Sequence, residues 1–143
     1  MPLLLIPAIH RATHRIGLYL TLLPEHGLSQ GEAHILAHLA QSGPATVGAL
    51  HKALAHKRST LTSILDRLVE RGFAARETDT EDRRTFLVSL TRKGKRVAIK
   101  TRRHLLDLEM AVRREFPGDV LDTAVAVLAA VEGAADRRSQ SPK

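Results

Sequence analysis

The feature that most constrains the fold is a change of hydrophobic period near the middle of the chain. From Leu61 to Val69 the apolar residues recur at the spacing of one helix face, and Gly72 follows where a left-handed residue commonly closes a helix. From Thr85 to Leu90 the period becomes two, which is typical of a half-buried strand. The pattern predicts one helix followed by a hairpin of two strands, at about 58–71, 73–78 and 85–90.

Two shorter helices are predicted before this one. Ser29 with Glu32 three residues later matches a capping box, in which each side chain accepts a hydrogen bond from an amide at the helix start, and Gly43-Pro44 ends that helix. A short helix at about 47–54 and a tight connection follow. Long apolar-rich helices are predicted towards both ends of the chain, over about 3–23, 91–115 and 117–135.

This order of elements is that of a winged helix-turn-helix. The predicted fold is mainly α with a small β-hairpin, and N- and C-terminal dimerisation helices flank the winged helix, because helices so apolar need a partner to cover them. We therefore expect a homodimer. The expected division is an N-terminal dimerisation arm at 1–28, a winged-helix DNA-binding domain at 29–93, C-terminal dimerisation helices at 94–136 and a flexible tail at 137–143.

The positive charge of the chain is concentrated in its middle third. The formal net charge is +7, and residues 57–103 hold 14 Lys and Arg against 6 Asp and Glu. A basic surface of this kind attracts polyanions, so double-stranded DNA is the expected partner. The chain has no cysteine, which excludes disulfides and thiolate zinc sites, and no apolar run reaches the ~18 residues of a membrane span. We expect a cytoplasmic protein without a membrane partner, a metal or a cofactor.

The helix at about 58–71 has the polarity of a recognition helix. Its first turns carry small hydroxyl residues next to cations, whereas Asp66 and Glu70 lie in its last turns, away from the end that would enter the major groove. At the hairpin tip Asp82 can hold Arg84 through a charge-assisted hydrogen bond, and an arginine there can enter a narrow minor groove. The candidate DNA-binding residues are Lys57, Arg58, Ser59, Thr60, Thr62, Ser63, Arg67, Asp82, Arg83 and Arg84.

The predicted hairpin, which is the wing of a winged helix, and the residues on either side of it carry a motif. The motif has fixed spacing and runs from the end of one helix through the hairpin to the cap of the next helix. It consists of Arg71-Gly72-Phe73, Asp82-Arg83-Arg84 and Val88-Ser89-Leu90-Thr91 followed by Gly94. With these residues the stretch 28–94 resembles the MarR family of winged-helix transcription regulators. The resemblance implies a dimeric regulator, in the simplest case a repressor, that is held by its first and last helices and binds a palindromic operator. Asp82 and Arg84 match the family's wing motif, whereas Ser63 replaces a basic residue common in the recognition helix of relatives.

The resemblance also implies a small aromatic or anionic effector, bound between the dimerisation helices and the winged helix. His34 and His38 are one turn apart on the side of their helix opposite its apolar residues, and Tyr19 is the only phenol. The candidate ligand-binding residues are Tyr19, His34, His38 and His104. The same histidines could bind a divalent metal or be solvated, so a metal-responsive regulator is an alternative.

Other classes of function fit the sequence less well. The chain has no Gly-x-Ser-x-Gly, His-Glu-x-x-His or phosphate-loop motif, so we do not expect an enzyme. The basic block and the wing argue against a helical adaptor whose partner is a protein. An architectural or constitutive DNA-binding protein that needs no effector is a further alternative with the same fold.

Overall fold

In the computed structural model, residues 1–23 and 27–140 are described, and they form helices with one small antiparallel sheet. The predicted class, mainly α with a β-hairpin in a winged helix-turn-helix, is confirmed. The chain divides into two compact units, Met1–Leu105 and Leu106–Lys143. The elements are α1 (Leu5–Leu20), α2 (Gln30–Ser42), β1 (Ala45–Thr46), α3 (Val47–Leu54), α4 (Arg58–Glu70), β2 (Ala74–Thr78), β3 (Phe86–Leu90), α5 (Arg92–Glu115) and α6 (Gly118–Gln140).

The sheet has the strand order β1-β3-β2 and contains one strand that was not predicted. β2 and β3 form the expected antiparallel hairpin, and β1 pairs with β3, where Ala45 lies opposite Val88. A strand of two residues is too short to show a period, so the sequence did not reveal it. Thr46 also acts as a helix cap, because its hydroxyl accepts a hydrogen bond from the Ala49 amide at 3.0 Å.

The core of the first unit is built on the predicted apolar face of α4. This face packs with apolar residues of α2, α3, the sheet and the start of α5. Burial of each leucine stabilises the fold by about 1.5–3 kcal/mol, and the burial of one face leaves the opposite face of α4 in solvent. The residues of α4 that are at most 4% exposed are Leu61, Ile64, Leu65 and Leu68.

The predicted capping box at the start of α2 is half correct. The Ser29 hydroxyl accepts a hydrogen bond from the Glu32 amide at 3.2 Å, as expected. The Glu32 carboxylate, however, does not turn back to the helix start but lies against Arg67 and Arg71 at the far end of α4. Two guanidinium groups stabilise a nearly buried, charged carboxylate more than one backbone amide does, which explains why Glu32 turns to the arginines.

The start of α5 crosses very close to the base of the hairpin. Thr91 caps this helix as predicted, because its hydroxyl accepts from the Gly94 amide at 2.9 Å while donating to the Gly72 carbonyl at 2.6 Å. A Cβ atom on Gly94 would lie 1.7 Å from the carbonyl oxygen of Phe73, so no larger residue fits there without a backbone shift. Gly72 itself has φ 74°, in the left-handed region predicted for it.

The second unit is dominated by α6, in which no residue is buried. Its exposed apolar residues include Val120, Val125, Val127 and Leu128. α6 continues to Gln140, so most of the segment predicted as a flexible tail at 137–143 is helical, and residues 141–143 lie outside the described part of the chain. In this last turn Ser139 donates a hydrogen bond to the Ala135 carbonyl, and Gln140 donates one to Asp136.

None of the helices in the described ranges carries an apolar stretch that would reach across a bilayer.

Candidate nucleic-acid interface

Most of the candidate DNA-binding residues lie on the exposed face of α4. Every candidate on this helix, and Lys57 before it, is exposed. The first turn has no acidic residue and no side-chain cap, so its amides are free to meet an anion. The residues that lie together on this surface are Lys57, Arg58, Ser59, Thr60, Thr62 and Ser63.

The Ser63 hydroxyl already has a partner within the helix. It donates a hydrogen bond to the Ser59 carbonyl, four residues earlier, at 3.0 Å. In this arrangement its oxygen is left as an acceptor, which suits an amino group of adenine or cytosine in the major groove.

Arg67 is oriented differently from the other candidates on α4. Its Nε atom lies 3.5 Å from a Glu32 oxygen, and the Glu32 side chain is only 6% exposed. Arg71 reaches the same carboxylate at 3.1 Å. Arg67 therefore helps to compensate a nearly buried carboxylate, while half of its side chain stays exposed.

The negative charge of Asp66, towards the C-terminal half of α4, is compensated by an arginine of the hairpin. Arg76 on β2 donates a hydrogen bond to Asp66, so the negative charge on this side of the helix is paired. The contact also joins α4 to the hairpin. The sequence did not indicate Arg76, because a helical projection shows only the partners within one element.

The wing tip has the predicted arrangement of Asp82 and Arg84. The Arg84 Nε atom and its backbone amide each lie 3.1 Å from Asp82 Oδ1. The hydrogen bond from the Arg84 side chain, followed by that from its amide, lowers the pKa of the Asp82 carboxyl, so this group stays ionised. The Arg84 side chain is 90% exposed, which leaves the oriented guanidinium free for an external partner.

Arg83 lies beside this pair and lines a shallow recess of about 400 Å³ with Thr78, Asp79 and Thr80. The tip is held by Asp79, which accepts hydrogen bonds from the Glu81 amide at 3.0 Å and the Thr85 hydroxyl at 3.3 Å. Arg83 and Arg84 are thus presented from a turn with its own internal hydrogen bonds.

The candidate ligand-binding residues are not gathered around a free site. Tyr19 and His104 contact each other: their rings stack with centroids 3.8 Å apart. The Tyr19 hydroxyl donates to the His104 carbonyl at 2.8 Å, and His104 Nε2 lies 2.9 Å from the Tyr19 carbonyl. This reciprocal contact joins α1 to α5, so the two side chains have structural partners already.

His34 and His38 are both half-buried on α2. Burial, and then the nearby His56, lower the pKa of His34, which keeps its imidazole neutral. His56, in the turn before α4, was not among the candidates, although its place directly before Lys57 and Arg58 could have suggested it. No group of three or more histidine or carboxylate side chains within the described ranges is arranged to hold a metal ion.

Taken together, the helix-turn-helix of α3 and α4 and the hairpin with its arginine tip define a winged-helix domain. The family model described as "MarR family" matches residues 28–86. The match lies within the stretch 28–94 that resembled this family in the sequence, so the resemblance is confirmed for this part of the chain.

Relatives and solved structures agree with this assignment. An HTH-type transcriptional regulator of Bacillus subtilis (strain 168), YcgE, is 31% identical over 84 residues, which are 59% of this chain and 54% of that protein. The chain thus matches about half the length of this relative. S. aureus MepR in its DNA-binding conformation superposes with a TM-score of 0.80 at 17% identity, over 93% of this chain and 99% of that one.

Bordetella bronchiseptica BpsR, described for the regulation of its DNA binding by 6-hydroxynicotinic acid, superposes with a TM-score of 0.71 at 21% identity. The superposition covers 90% of this chain and 93% of that one. At these identities the two superpositions establish the shared fold.

Proposed function

We propose that this protein is a homodimeric transcription regulator that binds a palindromic DNA operator in the cytoplasm and acts as a repressor. The observation that carries the proposal is the exposed Arg84, oriented by Asp82 at the wing tip, on the same winged helix as the cationic and hydroxyl face of α4. A helix with this polarity suits a major groove, and an oriented arginine suits the negative potential of a minor groove.

The dimer is supported by apolar surface in each unit of the chain. In the first unit, the first turn of α1 and the residues just before it expose Leu3, Leu4, Leu5 and Ile6. In the second unit, α6 buries none of its residues. Surfaces of this kind are covered when two copies associate about a two-fold axis. Two recognition helices about 34 Å apart would then read two half-sites one turn of DNA apart.

The decisive experiment is selection of bound duplexes from a random DNA pool, followed by titration of the best duplex at several salt concentrations. We expect a two-fold symmetric consensus and an affinity that falls steeply with salt, because each released counterion contributes to the slope. Light scattering of the protein should give the mass of a dimer. A pool in which no sequence is enriched, or a folded monomer, would contradict the proposal.

We further propose that a small aromatic or anionic molecule releases the operator. BpsR offers a precedent, since its DNA binding is regulated by 6-hydroxynicotinic acid. The half-buried His34 and His38 are more suitable donors than Tyr19 and His104, because these two side chains are occupied by each other. The test is a panel of aromatic acids and divalent metals scored for release of the selected duplex.

The alternatives give different outcomes in this panel. Release by an aromatic acid that His34→Ala abolishes, with DNA binding retained, supports effector control, since coupling needs a contact that differs between the two states. Release by a metal supports the metal-responsive alternative. No release by any compound favours a constitutive or architectural DNA-binding protein.

A further inference from the structure

Phe86 is an exposed aromatic side chain close to the wing tip. It is 52% exposed, whereas Phe73 at the base of the same hairpin is 3% exposed. The chain has only three Phe, one Tyr and no Trp, so aromatic side chains are scarce, and two of them, Phe86 and Phe116, are exposed. A single exposed apolar residue needs no explanation by itself, so the position of Phe86 in the fold must decide whether it has a role.

The strand register places Phe86 on the side of the hairpin that faces α4. Phe86 pairs with Thr78 and Val88 pairs with Arg76, and directly paired residues of antiparallel strands share a face. On this face Val88 is buried and Arg76 contacts Asp66 of α4. Phe86 therefore lies on the same face as that contact and nearer to the wing tip.

The residues around this position favour an anionic partner with apolar parts. Arg84 is two residues from Phe86 along the chain, and on α4 the exposed Ser63 lies one turn before Asp66 towards the N-terminus. Asp66 is paired with Arg76, and Glu77 belongs to the opposite face of the hairpin by the strand register. The surface between α4 and the wing thus offers hydroxyl groups, a cation and one aromatic ring.

We propose that Phe86 packs against the deoxyribose rings of the DNA strand that runs between the two grooves. The inference rests on the proposed function, in which α4 enters the major groove and Arg84 the neighbouring minor groove. Adjacent grooves of a duplex are separated by one sugar-phosphate backbone, which must pass the surface between α4 and the wing. The phosphates meet cations and hydroxyl groups there, while the sugar carbons provide an apolar surface for the ring.

The first test is the affinity of Phe86→Ala for a fluorescein-labelled duplex of about 30 base pairs that the parent protein selects from a random pool. Loss of the burial of half a phenylalanine side chain predicts about five- to tenfold weaker binding at every salt concentration. The dependence on salt should match that of the parent, because no cation is removed.

Gln41→Ala is the control, since Gln41 is an exposed residue of α2 outside both the candidate DNA-binding residues and the predicted dimerisation helices, and it should bind as the parent does. Parent-like affinity of Phe86→Ala overturns the inference. A changed salt dependence also overturns it, because the ring would then act by placing Arg84.

The second test detects burial of the ring directly. Since the chain has no Trp, Phe86→Trp gives a protein with a single tryptophan, and Gln41→Trp gives the control. We expect the duplex to reduce acrylamide quenching of the Phe86→Trp protein and to leave that of the control unchanged. Equal quenching of the Phe86→Trp protein with and without bound duplex overturns the inference. A parent protein that binds no duplex overturns the proposed function instead.

Discussion

Arg71, the residue that follows α4, reaches across to Glu32 in the first turn of α2, and its Nη1 atom lies 3.1 Å from Glu32 Oε2. The guanidinium of Arg71 also lies over the Phe73 ring, 4.9 Å from its centroid. The C-terminal end of the recognition helix is therefore attached to α2 by charge as well as by apolar packing. This attachment is distant from the N-terminal turns that would meet DNA.

We expect Glu32→Gln to lower the free energy of unfolding by about 1–3 kcal/mol. A fully buried pair would cost about 3–5 kcal/mol, but Arg67 and Arg71 are partly exposed and solvent screens part of the interaction. Urea denaturation at a fixed protein concentration measures the change. Glu109→Gln is the control, because the exposed pair of Glu109 with Arg113 is worth about 0.2–0.5 kcal/mol. Equal losses for the two variants would mean that the Glu32 pair stabilises no more than a surface pair.

Replacement of Ser63 should change the sequence preference rather than the overall affinity. If its oxygen accepts from a base, Ser63→Ala should alter discrimination by about 1–3 kcal/mol at particular base positions. Competition with single-base variants of the selected duplex is the measurement.

Ser139→Ala is the matched control for Ser63→Ala, because Ser139 makes the same hydrogen bond to a carbonyl four residues earlier, in α6. A uniform loss over all sequences for Ser63→Ala would place the residue at a phosphate. Unchanged affinity for every duplex would place Ser63 outside the interface.

Arg84→Ala should weaken operator binding. It should also reduce the slope of the logarithm of the binding constant against the logarithm of the salt concentration, by about one unit for each phosphate that the arginine neutralises in the parent complex. Asp82→Ala should give a smaller loss, because it releases the guanidinium without removing its charge, and a mobile arginine must be ordered again on binding. Thermal stability should change little, since the pair is exposed. Arg15→Ala, which removes an exposed cation from α1, is the control. An unchanged slope for Arg84→Ala would mean that the wing does not contact DNA.

His34 should make the stability of the protein depend on pH in the mildly acidic range. Its pKa in the folded protein is below the ordinary value of 6.5, so the unfolded chain binds the proton first as the pH falls. The contribution is fully present above about pH 6.5 and is lost as the pH falls through the lowered pKa. His34→Gln should therefore flatten the decline in urea midpoint between about pH 7 and about pH 5. The exposed His14, replaced by Gln, is the control, and identical pH profiles of parent and His34→Gln would contradict the prediction.

Local signals predicted most of the fold. The apolar face of α4, the left-handed Gly72 and the cap at Thr91 were all visible in the sequence, because each depends on residues within a few positions of one another. The contact of Asp82 with Arg84 was predictable for the same reason. β1 was missed because its two residues belong to a strand only through their pairing with β3.

The candidate sites were less predictable because their partners are distant in the sequence. Arg67 was assigned to DNA from the helical projection of α4, which cannot show that Glu32 lies beside it in space. Tyr19 and His104 were both selected as ligand-binding residues, and the fold pairs them across 85 positions of the chain. For Arg67, Tyr19 and His104, the sequence therefore did not show which protein groups these side chains contact.

The fit of Gly94 against Phe73 has a mechanical consequence. With no space between the α5 backbone and the Phe73 carbonyl, the first turn of the helix cannot approach the base of the hairpin more closely without displacing the Phe73 backbone. The strands extend from this base over about 17 Å, so a small tilt of α5 is enlarged at the wing tip into a displacement of Arg84. The position of Arg84 relative to the N-terminal turns of α4 is thus set by the angle at which α5 leaves Gly94.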